Sequence, residues 1–126
     1  MSQLPMVIRP VRDSMLKAAE NLLQALEHPG DLLPAVREST LALENHLDTL
    51  ASELHGEIEP RLLEQARELE SRLRAALVDA WAIARDMNAG PVDVHRISGL
   101  SDAMRRAGSL EFDLVNEQLR DDGALD

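Results

Sequence analysis

The sequence predicts an all-α fold, an up-and-down four-helix bundle with a Leu/Ala-rich core. Three breaks divide the chain at helix-length intervals, because Gly and Pro end helices; they are Pro29-Gly30, Gly56 with Pro60, and Gly90-Pro91. The segments between the breaks carry apolar residues at the 3-4 spacing of one helix face. Strands are disfavoured, because β-branched residues are sparse and the aromatic residues are one Trp and one Phe.

The first two helices have clear end signals. The first is predicted from about Arg9 to Glu27. The second starts near Asp31, which is suited to capping a helix N-terminus, and ends at Gly56, which can take the left-handed conformation of a C-terminal cap. Their apolar seams are Ile8, Val11, Met15, Ala18, Leu22 and Ala25 in the first helix, and Leu33, Val36, Thr40, Leu43, Leu47, Leu50 and Leu54 in the second.

The third helix is predicted from Pro60 or Arg61 to Gly90, and the fourth from a cap at Ser101-Asp102. Between them, residues 92–100 are expected to form a short helical turn or a loop. The seams are Leu62, Ala66, Leu69, Leu73, Ala76, Ala80, Ile83 and Met87 in the third helix, and Ala103, Met104, Ala107, Leu110, Leu114 and Leu119 in the fourth.

Length and composition narrow the class of protein. Residues 1–126 are expected to form a single domain, with residues 1–7 as an N-terminal arm and residues 121–126 as a frayed tail. The chain has no Cys, which excludes disulfides and thiolate chemistry. No apolar run approaches about 20 residues, so no membrane span is predicted, and the start lacks the pattern of a signal peptide. We therefore expect a cytoplasmic protein.

Charge argues against nucleic acid as a partner. The sequence has 13 Lys and Arg against 23 Asp and Glu, a formal net charge of −10, which phosphate backbones repel. The excess is concentrated in residues 31–60, where Arg37 is the one basic residue among many acidic ones. Such an acidic face is typical of a solvated helix, and it can also steer a basic partner.

No pattern of residues predicts catalysis or metal binding. His28 and His55 precede helix breaks, where an imidazole can bond the last carbonyl groups of a helix. His46 lies beside the second seam, and Glu44, two residues away, falls about 200° around the helix from it. No Glu-x-x-His or His-x-x-x-Glu pair falls within a predicted helix, although bundle metal sites use such spacing. We therefore predict no catalytic residue, no cofactor and no metal site.

Trp81 is a large apolar residue that the third seam leaves outside the core. The seam directs Ala80 and Ile83 inward, so Trp81 shares an outer stripe with Val78 and flanking arginines. A large apolar side chain beside arginines is a common interface anchor. The candidate interface residues are Arg74, Leu77, Val78, Trp81 and Arg85. They predict a homodimer with Trp81 at or near its interface; the alternative is that Trp81 folds over a neighbouring helix or the N-terminal arm.

Four stretches carry a resemblance to a known family: Ile8-Arg9-Pro10-Val11-Arg12-Asp13, Asn45-His46-Leu47, Glu59-Pro60, and residues 62–69. The run from Val7 to Leu63 resembles the hemerythrin-like (HHE) domains, four-helix bundles that often hold a non-haem di-iron centre, and residues 62–69 resemble the opening of such a domain's third helix. The positions that correspond to the family's iron ligands hold Met15, Leu50, Leu54 and Ala66. The resemblance therefore implies the fold and carries no iron ligand to this chain.

These observations favour a non-catalytic, metal-free helical bundle that acts through protein contacts, either by self-association or by binding a partner as a regulatory module. The alternative is a hemerythrin-like bundle that binds a metal or a small ligand through residues off the predicted seams. No residue pattern supports an enzyme.

Overall fold

The structure, a computed structural model, describes residues 4–54 and 60–121. These residues form four long helices and two short 3₁₀ turns, with no strand among them. The helices are α1 (Leu4–Ala25), α2 (Leu32–Leu54), α3 (Leu63–Ala89) and α4 (Val94–Asp121). The 3₁₀ turns, Pro29–Asp31 and Pro60–Leu62, lead directly into α2 and α3.

The helices pack in chain order. The α1 helix packs on α2, α2 on α3 and α3 on α4, and α4 returns to pack on α1. Among the described residues, the diagonal pairs α1/α3 and α2/α4 do not approach each other closely through their backbones. This arrangement confirms the predicted up-and-down four-helix bundle. In the described part of the chain, no helix combines the length and apolar character needed to cross a membrane.

The core is rich in Leu and Ala, as the seams predict. All four helices contribute to it, and most of its members lie at 3-4 spacing on their helix. The largest fully buried side chains are Met15, Leu22, Leu43, Leu50, Leu62, Leu69, Leu73, Ile83, Ile97 and Leu100. Leu50 is confirmed as a core residue, whereas the side chain of Leu54 lies outside the described part.

The α1 helix starts earlier than the sequence predicts. It begins at Leu4, whereas a start near Arg9 is predicted, and it continues through Pro10. Pro10 lies inside this helix: its ring fixes φ near the helical value, but it has no N–H to donate to the carbonyl four residues back, and its ring crowds that carbonyl. Residues 1–3 lie outside the described part of the chain.

The start of α4 also differs from its prediction. The helix begins at Val94, because the Asp93 side chain accepts a hydrogen bond of 2.9 Å from the backbone N–H of His95 and so caps the first turn. The predicted cap at Ser101-Asp102 is therefore wrong. Ser101 is fully buried within α4, and its hydroxyl donates to the Ala19 carbonyl of α1 at 2.8 Å. The helix continues to Asp121, and residues 122–126 of the predicted tail lie outside the described part.

Candidate functional site

The core face of α2 differs in register from the predicted seam. Among the α2 residues whose side chains the structure describes, the buried ones are Ala35, Val36, Ser39, Leu43, His46 and Leu50. Thr40 and Leu47, which the seam places inward, are half-buried instead. Ser39 tolerates burial because its hydroxyl donates to the Ala35 carbonyl of its own helix at 3.1 Å. The consequence of this register is that His46 lies in the core.

On α4, a carboxylate lies at a core position, as His46 does on α2. Met104, Ala107, Glu111 and Leu114 follow one another at 3-4 spacing, and all four are fully buried. Between Ala107 and Leu114, the predicted seam has Leu110 and not Glu111, but Leu110 is only half-buried. Glu111 is thus a core residue by its position on the helix, despite its charge.

His46 and Glu111 meet at the centre of the bundle. Nε2 of His46 is hydrogen-bonded to Oε2 of Glu111, and both side chains have no exposed surface. The α2 and α4 backbones are diagonal to each other, so the two long side chains span the middle of the core to make this contact. Two ionisable groups buried without water are rarely found unless they are paired.

Burial dominates the electrostatics of Glu111. Burial is the largest effect and raises the pKa of its carboxyl. The hydrogen bond from His46, the charge of His46 and the charge of Arg12 lower that pKa, in decreasing order. The charge of Asp13 raises it slightly. Arg12 and Asp13 belong to the adjacent part of α1. The Arg12 guanidinium also lies over the ring of Phe112, 5.6 Å from its centroid.

Three buried polar atoms beside this pair make no hydrogen bond within the described structure: Nδ1 of His46, Oε1 of Glu111 and Nε of Arg12. Arg12 therefore acts on Glu111 through its charge, whereas the hydrogen bond comes from His46. Chemically, the pair can hold a proton between a nitrogen and an oxygen that solvent does not reach.

The donor set is small for a metal ion. In the part of the chain that the structure describes, no three His, Cys, Asp or Glu side chains gather where one ion could be bound. The pair supplies two donors, whereas protein zinc sites use at least three protein ligands. His55, the other histidine of the α2 end, lies outside the described residues.

A second feature is the exposed face where α2 and α3 pack together. Trp81 is 49% exposed and Val78 is 56% exposed, so the structure places both on the surface. The indole N–H of Trp81 donates to Oε1 of Glu44 on α2 at 3.3 Å. One edge of the ring thus lies against α2, in agreement with the alternative prediction that Trp81 folds over a neighbouring helix. Half of the residue's surface still faces solvent.

Trp81 borders a shallow groove with walls of opposite charge. The groove is lined by Glu44, Leu47 and Asp48 of α2 and by Arg74, Leu77, Val78 and Trp81 of α3. The two acidic residues lie on the α2 wall, and the arginine lies on the α3 wall. The floor is apolar, because Leu77 is 6% exposed and belongs to the core.

The two arginines of the predicted stripe extend into solvent. Their side chains are well exposed, and each pairs with a neighbour on its own helix: Arg74 with Glu70 and Arg85 with Asp86, both at 3.3 Å. The structure thus brings Arg74, Leu77, Val78 and Trp81 into one groove and leaves Arg85 outside its lining.

Comparison with known proteins gives no relative: no protein family, no curated protein and no solved structure matches this chain. The hemerythrin-like resemblance therefore has no support beyond the four-helix architecture. Met15, Leu50 and Ala66, at the positions of that family's ligands, are fully buried core residues.

Proposed function

We propose that this chain is a non-catalytic helical bundle that acts through protein contacts, and that the Trp81 groove is its contact surface. The observation that carries the proposal is the pair of large apolar side chains exposed beside that groove, Trp81 and Val78. Trp is one of the three residue types enriched among those that dominate binding energy at interfaces. Its fixed position against Glu44 lowers the entropy lost on binding, because fewer rotamers must be ordered.

The partner that best fits this groove is a second copy of the chain. A two-fold axis that runs parallel to the groove, between the two copies, places the α2 wall of one copy opposite the α3 wall of the other. Glu44 and Asp48 of each copy then face Arg74 of its partner, so opposite charges meet twice. Leu41, 61% exposed and one turn before Glu44 on α2, extends the apolar surface that such a contact would cover.

The alternative of a metal- or small-ligand-binding bundle has less support. It requires polar ligands off the predicted seams, and His46 and Glu111 are such residues. However, they bond each other and offer two donors without a third nearby in the described structure. Contact through the exposed groove uses side chains that are already accessible, so we favour it.

The test is the molar mass in solution, measured by light scattering over a wide concentration range. Wild type is expected to form a dimer that dissociates on dilution. With half of a Trp surface of about 250 Å² covered at about 25 cal/mol/Å², Trp81→Ala removes roughly 3 kcal/mol per copy. Since a dimer contains two copies, the dissociation constant should rise by at least about 100-fold.

Phe112→Ala is the matched control, because Phe112 is also an aromatic residue, is 53% exposed and lies on α4, away from the groove. It should leave the dissociation constant unchanged. Arg74→Glu should weaken the dimer, and Asp48→Arg added to it should restore the dimer. A wild type that stays monomeric at the highest attainable concentration would show that Trp81 packs within one chain only.

A further inference from the structure

We propose that His46 and Glu111 form a proton-binding site in the bundle core, which holds one proton more at neutral pH than a free imidazole and a free carboxylate together. The site does not depend on the Trp81 groove. It follows from the direct contact of Nε2 with Oε2, from the complete burial of both side chains, and from the groups that surround them.

The contact between Nε2 and Oε2 requires a proton between the two atoms. Three forms satisfy it: a neutral imidazole donating to a carboxylate, an imidazolium donating to a carboxylate, and a carboxylic acid donating to a neutral imidazole. The first form carries a net charge of −1, and the other two are neutral overall. The neutral forms hold one proton more than the first.

Burial decides between these forms. A net negative charge buried away from solvent costs several kcal/mol more than a neutral pair, because the attraction between the partners offsets desolvation only when both are present. Burial is also the first cause of the raised pKa of the Glu111 carboxyl, and a raised pKa favours the forms that hold the extra proton. The core therefore favours the forms that hold the extra proton.

The surrounding charges do not replace that proton. From α1, Arg12 acts on Glu111 only through its charge, since Nε of Arg12 and Oε1 of Glu111 both lack a hydrogen-bond partner in the described structure. Asp13, its neighbour on α1, opposes it. The buried residues of α3 are all apolar, and α2 and α4 supply the pair itself. His46 is thus the group that compensates Glu111.

The position of the extra proton can be observed directly. Nε2 is committed to the contact with Glu111 in all three forms, so the forms differ at the other nitrogen. Nδ1 of His46 carries a proton in both neutral forms and is bare in the charged form. The nitrogen shift of Nδ1 in the folded protein therefore reports whether the site is occupied.

The site also makes folding depend on pH. Unfolded Glu and His titrate at about 4.3 and about 6.5. Between these values the unfolded chain holds one proton on His46, as the folded pair does, so stability from the pair is constant. Above about 6.5 the unfolded chain loses that proton while the folded site keeps it. The folding equilibrium constant then falls by up to tenfold per pH unit as pH rises.

The experiment combines two measurements on the full chain. NMR of ¹⁵N-histidine-labelled wild type should show Nδ1 of His46 protonated at pH 7.5. Urea unfolding from pH 5 to pH 9 should show the loss of stability above pH 6.5 in wild type. Glu111→Gln should abolish that loss, because the amide bonds a neutral imidazole, and stability should instead fall on acidification below pH 6.5.

Asp113→Asn is the matched control, since it removes an exposed carboxylate two residues further along α4 and should retain the wild-type pH profile. A bare Nδ1 at pH 7.5 would overturn the proposal, and this result needs no variant to fold. A wild-type profile that Glu111→Gln leaves unchanged above pH 6.5 would overturn it as well.

Discussion

Replacing both members of the buried pair with Leu should cost far less stability than replacing either one. His46 and Glu111 have no exposed surface, and each is the other's hydrogen-bond partner across the core. His46→Leu leaves the carboxyl of Glu111 buried without its bond, and Glu111→Leu does the same to the imidazole. Removing one partner of a buried pair costs about 3–5 kcal/mol.

The double variant removes both desolvated groups at once. Its two Leu side chains fill a similar volume in a core already rich in Leu, and such replacements are neutral or stabilise by about 1–4 kcal/mol. Since each single variant costs about 3 kcal/mol or more and the double variant costs nothing, the double-mutant cycle should give a favourable coupling free energy of about 6 kcal/mol or more between the two substitutions. Arg12 loses the opposite charge of Glu111 in this variant, but its side chain is 16% exposed and can turn toward solvent.

The assay is urea unfolding followed by far-UV circular dichroism at pH 6, with the slope on urea concentration checked for constancy. The exposed i,i+4 pair Glu68 and Arg72 on α3, changed to Leu in the same way, serves as the control and should give a coupling below about 0.5 kcal/mol. Two results would refute the reasoning. One is a cost below about 1 kcal/mol for both single variants at the core pair; the other is a double variant whose cost equals the sum of the singles.

Two further predictions concern single residues. Leu50→Ala should cost about 2–5 kcal/mol in urea unfolding, because it leaves a cavity at a fully buried position, whereas Asn45→Ala on the exposed side of α2 should cost less than about 0.5 kcal/mol; equal costs would contradict the observed register. Arg96→Gln should raise the pKa of Asp86 toward its ordinary value of 3.8 in an NMR titration, since the hydrogen bond from Arg96 is the first cause that holds it low. Because the pKa of Asp86 is lowered in folded wild type, this group adds stability above about pH 3.9, and that stability is lost as pH falls. An unchanged pKa of Asp86 in Arg96→Gln would show that Arg85 alone keeps it low.

The fold could be predicted from the sequence because each helix repeats apolar residues at 3-4 spacing between Gly and Pro breaks. The register of α2 could not. Val36, Leu43 and Leu50 belong to two series, one completed by Thr40 and Leu47 and the other by Ser39 and His46. Hydrophobicity selects the first series, whereas the structure uses the second.

The reason lies in tertiary contacts that no single helix contains. His46 is accommodated in the core because Glu111 faces it from α4, and Ser39 because its hydroxyl bonds its own backbone. The sequence of α4 does indicate the buried carboxylate. Glu111 follows Met104 by seven residues and Ala107 by four, so it lies at a core position, where an unpaired charge is not tolerated. A carboxylate on one seam and a histidine beside another, considered together, would have indicated a buried pair.

The core pair and the exposed groove lie on opposite sides of α2. Glu44 holds Trp81 at the surface, and His46, two residues along and about 200° around the helix, holds Glu111 in the interior. Because the groove lies on the far side of α2, removal of the core proton by Glu111→Gln should leave the groove intact while the bundle remains folded. The dimer dissociation constant of Glu111→Gln at pH 7.5 should then equal that of wild type. A dissociation constant that differs by about tenfold or more between the two would show instead that α2 shifts as one body and transmits the protonation state of its buried face to its exposed one.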